Sequence, residues 1–126
     1  MSRRLKIGKD GQLVVCEADI QKAIVDFLRM QGHLVIENRS HISDAILARV
    51  SGNRASKGTF DLIVALKGGR TLWIEVKRPG EILRPEQAQF ADALERCGHW
   101  WMVAFSVEDV QRELVNYYHS SIAAQL

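Results

Sequence analysis

Glu75-Val76-Lys77 closes an apolar run, Thr71–Lys77, that reads as a β-strand. Strand side chains alternate between faces, so Glu75 and Lys77 project from the same face one pleat apart. A carboxylate and an ammonium so placed can serve one reacting group. Taken alone, the tripeptide is equally an exposed ion pair on a strand end, which adds little stability. A second carboxylate, Asp61, ends Gly58-Thr59-Phe60-Asp61 and runs directly into Leu62–Leu66. It stands at the mouth of a strand joined to the first through Gly68-Gly69, in a β-hairpin. Alone, it is an Asp in the turn before a strand. Together, two carboxylates on neighbouring strands form an oxygen-rich pair suited to a hard cation such as Mg²⁺.

Two further polar residues fall where a site could use them. Glu17 heads a helical pattern and shares its face with Ile20, Ile24 and Phe27. A carboxylate on a core-facing stripe requires a partner, although the first helical turn favours an acid through the helix dipole. Gln87 shares a face with Ala91 and Leu94 near another helix start, where it reads as a site residue or a cap contact. If all four side chains meet Lys77 at one sheet edge, they can hold one or two divalent metals, an arrangement that drives phosphodiester hydrolysis.

The positioning elements follow from periodicity. Helical spacing covers Glu17–Gln31, stopped by Gly32; a strand spans His33–Asn38; Phe60–Leu66 and Thr71–Lys77 form the hairpin. Pro85 opens a helix that runs to Cys97 and ends at Gly98. Trp100–Phe105 is a continuous apolar run, as in a strand covered on both faces, and its Trp100 and Trp101 read as core. Ser106 and Asp109 begin a last helix with Val107, Val110, Leu114 and Tyr117 on one side. A short strand is expected at Gln12–Val15 and a helical turn at Asp44–Arg49. The order implies an α/β fold, an α-β-β-β-α-β core with a small mixed sheet flanked by helices.

One feature of the hairpin opposes a shared site. A strict two-residue Gly68-Gly69 turn pairs Lys67 with Arg70 and sets Asp61 against Val76, which puts Asp61 and Glu75 on opposite faces. A common metal therefore demands a one-residue adjustment, either a three-residue loop with a bulge or a kink at Asp61.

At 126 residues, 47% hydrophobic and 25% charged, the chain reads as one globular domain, 1–126. Its net charge of +2 is a mild excess that fits a nucleic-acid partner without arguing strongly for one, and the basic groups cluster. A tail, 1–11, holds Arg3, Arg4, Lys6 and Lys9, and a long polar loop, 39–59, holds Arg39, Arg49, Arg54 and Lys57 against Asp44. Arg49, Arg54 and Lys57, with Arg78 and Arg84 after the second hairpin strand, are candidate DNA phosphate contacts. Cys16 and Cys97 supply neither a disulfide framework nor a zinc site, which points to a reduced, cytoplasmic setting, the host cytoplasm if the chain is phage-encoded. No apolar run approaches the ~20 residues of a membrane helix.

Glu17 at a helix head, GTFD at 58–61, EVK at 75–77 and PEQ at 85–87 resemble, in order and spacing over about residues 17–110, the VRR-NUC (virus-type replication-repair nuclease) family. That family belongs to the PD-(D/E)xK superfamily, with archaeal Holliday-junction resolvases and many restriction enzymes. Phe60 stands where the family usually has Pro, a structural position. The resemblance implies a restriction-endonuclease-like core. It implies Mg²⁺ or Mn²⁺ on Asp61, Glu75 and the Val76 carbonyl, Lys77 acting on the attacking water, and Glu17 and Gln87 in support. It further implies a homodimeric endonuclease for branched DNA, four-way junctions above all. The competing expectation is a catalytically silent DNA- or junction-binding module on the same fold.

Overall fold

The structure, a computed structural model, describes Ile7 and residues 9–11, 15–38 and 58–125. In order these form α1 (Glu17–Met30), β1 (Leu34–Glu37), β2 (Leu62–Ala65), β3 (Thr71–Val76), α2 (Pro85–Arg96), β4 (Trp100–Ala104) and α3 (Val107–Gln125). The sheet order is β1-β2-β3-β4, antiparallel at the first two junctions and parallel between β3 and β4. The parallel pair needs a crossover, and α2 supplies it. The architecture is the expected α/β core with a mixed sheet. The expected strand at Gln12–Val15 (save Val15), the turn at Asp44–Arg49, and Arg49, Arg54 and Lys57 lie outside the described residues.

Alternation along the strands makes two cores. One face carries Val35, Leu62, Val64, Leu72, Ile74, Val76 and Ala104, packed on Ile24 and Leu28 of α1 and Val110 and Leu114 of α3. Ile20, Ile24 and Leu28 recur at helical spacing, which is why α1 lies flat on that face. The other face, under α2, is aromatic: Phe60 is fully buried with Ala91 and Leu94, and Trp73, Phe90 and Trp101 pack around it. The Phe60 ring lies 5.2 Å from Phe90 and 6.0 Å from Trp101, within the range of favourable tilted contacts. Phe60 thus fills the junction between sheet and α2.

β4 departs from the expectation of a strand buried on both sides. Only Ala104 is buried, because β4 is the edge of the sheet. Its faces still divide as alternation requires, with Trp100 and Met102 toward α1 and α3 and Trp101 toward α2. α3 starts as anticipated: Ser106 Oγ accepts from the Asp109 N–H at 3.2 Å, and Asp109 Oδ2 accepts from the Phe105 N–H at 2.8 Å. Tyr117 extends its apolar side by stacking on Trp100 at 4.6 Å. Among the described residues no helix is long and apolar enough to cross a membrane.

Candidate active site

The hairpin loop resolves the register conflict. Leu66 N–H donates to the Arg70 carbonyl at 2.8 Å and Gly69 N–H to the Leu66 carbonyl at 3.2 Å, so three residues, 67–69, make the turn. The ladder then sets Leu62 opposite Ile74, and one step further Asp61 falls opposite Glu75. Opposed residues share a face, so both carboxylates project from the same side of the sheet.

Hydrogen bonds fix that pair from both strands. Asp61 N–H donates to Glu75 Oε1 at 3.1 Å, and Val76 N–H donates to Asp61 Oδ2 at 2.9 Å. The Asp61 carbonyl accepts from the Asn38 N–H at 2.8 Å, which ties it to the end of β1 as well. Each acid therefore caps backbone that belongs to the other's strand.

Glu75 is 1% exposed and Lys77 4% exposed, so the solvated ion pair considered for the EVK tripeptide is not what forms. Lys77 Nζ lies 3.9 Å from Glu75 Oε2. Burial, and next the neighbouring Asp61 carboxylate, push the Glu75 pKa up to about 8, against the opposing pull of Lys77. One lysine does not neutralise the two acids.

From the α2 side comes Gln87, whose amide makes the cap contact and also reaches Glu75. Its Oε1 accepts from the Arg84 N–H at 2.9 Å, capping the helix, while its Nε2 donates to Glu75 Oε2 at 2.6 Å. Gly58 allows this approach. Its φ is +87°, and a Cβ there would lie 2.4 Å from the Glu86 carbonyl oxygen and 3.0 Å from the Gln87 nitrogen. The GTFD segment thus rests directly on the first turn of α2.

From the other face the first turn of α1 brings Glu17, half-buried. Its pKa is raised by burial first and then by Asp61, with Glu81 adding to this and Lys77 and Arg78 opposing it. Glu17 therefore shares the electrostatic field of the strand acids. The start of α2 thus touches the acid pair through Gln87, at the end of the central strands β2 and β3, and the start of α1 acts on it through the charge of Glu17.

Asp61 and Glu75 are the acids that could hold a cation, beside the backbone of the buried Val76. Among the described residues no group of three His, Cys, Asp or Glu forms a ready-made metal cage. Arg78 and Arg84 lie exposed beyond the site. Glu81, half-buried, was not singled out from sequence, yet its carboxylate Oε1 accepts from Arg78 Nε. The signal for it was Pro79-Gly80, a turn dipeptide that brings its flanking residues together.

No family model and no curated protein matches the chain. Among solved structures, one described as a "VRR_NUC domain" matches with a TM-score of 0.60 and 22% identity, over 81% of this chain and 97% of that one. That likeness shows the fold: the chain has the architecture of a VRR_NUC domain, in agreement with the resemblance of its four motifs.

Proposed function

We propose that the chain is a divalent-metal-dependent, structure-specific DNA endonuclease that hydrolyses phosphodiester bonds, cutting four-way junctions as a homodimer. The observation that carries this reading is the pairing of Asp61 with Glu75 on one face, with Lys77 buried beside Glu75. The donor set fits Mg²⁺ or Mn²⁺: hard carboxylate oxygens on two adjacent acids, whose repulsion adds to burial in raising the Glu75 pKa. Asp61, Glu75 and the Val76 carbonyl would hold the ion. Such an ion polarises a phosphate and lowers the pKa of a nearby water.

The chain's own groups do the remaining work. Lys77, fixed by burial, orients the attacking water or meets charge developing at phosphorus. Gln87 and the Asp61 N–H hold the Glu75 carboxylate in one rotamer, so its oxygens are aimed before substrate arrives. Glu17 supports the pair from α1. Arg78 and Arg84, with Arg49, Arg54 and Lys57, take phosphates and would make binding salt-sensitive. The small domain offers little surface to grip a branched DNA, and two copies about a twofold axis would supply paired sites.

One observation favours a second reading, a silent junction-binding module: Asp61 Oδ2 and both Glu75 oxygens already accept hydrogen bonds from the protein. Cleavage of a labelled panel (four-way junction, 5′ flap, duplex, single strand) in Mg²⁺ or Mn²⁺ separates the two. Symmetric junction cutting that Asp61→Asn and Lys77→Met abolish supports the nuclease. Junction binding without cutting by the wild type supports the silent module.

A further inference from the structure

The chain reverses immediately after Lys77. Glu81 N–H donates to the Arg78 carbonyl at 3.0 Å, with Pro79 and Gly80 between them and Gly80 at φ +88°. Pro second and a positive-φ Gly third are what a type II turn requires. The turn brings the Arg78 and Glu81 side chains together, and Arg78 Nε donates to Glu81 Oε1. Arg78 is exposed and directly follows the buried Lys77, so the turn begins at the rim of the site, and both its charged groups lie in the field of Glu17.

Two features distinguish this pair from ordinary surface decoration. First, only Nε is engaged among the described residues, which leaves the guanidinium's terminal nitrogens to take a phosphate in a fork. Second, Glu81 adds a negative charge at the rim of a site read as taking a polyanion. That placement hinders binding, while the bond to Arg78 Nε gives the same carboxylate a second effect, restraint of the guanidinium.

We propose that Arg78 binds the phosphate next to the cut and that Glu81 is a positioning residue, which aims Arg78 across the site at some expense in affinity. This rests on the nuclease reading for its catalytic arm only. Exposed Arg–Glu pairs are weak, so the aim restricts the guanidinium without locking it.

The test measures binding and cutting separately, using a fluorescein-labelled four-way junction. Anisotropy over a KCl series, without Mg²⁺, gives affinity and salt slope. Single-turnover cutting in Mg²⁺ gives the rate. Arg78→Ala should weaken binding about tenfold and reduce the slope of log Kd against log[KCl] by roughly one. Arg78→Lys should restore the slope but not the rate. Glu81→Ala should tighten binding about twofold to fivefold yet slow cutting about tenfold. Glu81→Gln, which keeps the acceptor oxygen, should restore the rate while binding stays tight. An unchanged salt slope in Arg78→Ala overturns the phosphate role. Binding and rate falling in parallel in Glu81→Ala, with no rescue by Glu81→Gln, overturns the positioning role. If the wild type binds but cuts nothing, the nuclease reading and the positioning role fail together, and the salt slope still decides Arg78.

Discussion

Replacing Gly58 with alanine tests whether the approach of GTFD to α2 sets the geometry of the site. The added Cβ would sit 2.4 Å from the Glu86 carbonyl oxygen and 2.6 Å from its carbon, both backbone atoms. Relief to an ordinary contact of about 3.5 Å requires a displacement of about 1 Å between the loop and the helix start. The positive φ costs about 1–2 kcal/mol, and the forced shift adds about 1–3 kcal/mol. Gly98→Ala provides the control, since its φ is +77° but no atom lies within 4 Å of its Cβ position. The difference between the two variants isolates the clash. Thermal melts should show Gly58→Ala less stable than Gly98→Ala by roughly 5–10 °C. Because the shifted turn carries Gln87, bonded at 2.6 Å to Glu75, cutting of the junction should fall about 100-fold in Gly58→Ala. Gly98→Ala should cut normally. Equal melting temperatures and full activity in Gly58→Ala would refute the claim that this contact positions the acid pair.

Gln87→Leu removes both the donor to Glu75 and the acceptor that caps the Arg84 N–H, so single-turnover cutting should slow at least about tenfold and the melting temperature should fall by roughly 5–10 °C. Folding raises the Glu75 pKa from 4.5 to about 8, so between those values the folded chain keeps a proton that the unfolded chain has released. Stability from this group is therefore full below about pH 4.5 and is lost as pH climbs through about 8. Melts in EDTA should decline with rising pH over that window in the wild type and flatten in Glu75→Gln; Mg²⁺ should recover the wild type at the alkaline end. Phe60→Ala should cost about 3–5 kcal/mol in denaturant unfolding, because the ring is fully buried against Phe90 and Trp101.

What could be read from sequence, and what could not, divides by the range of the interaction involved. Ile20, Ile24 and Leu28 declare α1 through spacing alone, and Pro85 and Ser106 mark helix starts by backbone chemistry that needs no distant partner. The register of the hairpin was only half legible. Gly68-Gly69 suggests a two-residue turn, whereas the requirement that Asp61 and Glu75 share a face demands either a three-residue loop or a kink at Asp61; the loop has three residues, and Asp61 itself lies at a bend just before β2. In that case the demand that two candidate acids share a face anticipated the local geometry better than the turn dipeptide did. The dual bonding of Gln87 was open because a cap contact and a site contact make the same demand on sequence, an inward amide at a helix start. The depth of the EVK lysine was hidden for another reason. Alternation gives the face of Lys77 but not what covers it, and its burial is a tertiary fact of a residue whose backbone is tied to β4 by the Lys77 N–H bond to the Ala104 carbonyl. Arg78 shows the reverse case. Its number places it one residue past a buried lysine, yet its partner is set by Pro79-Gly80, a signal as local as any in the chain.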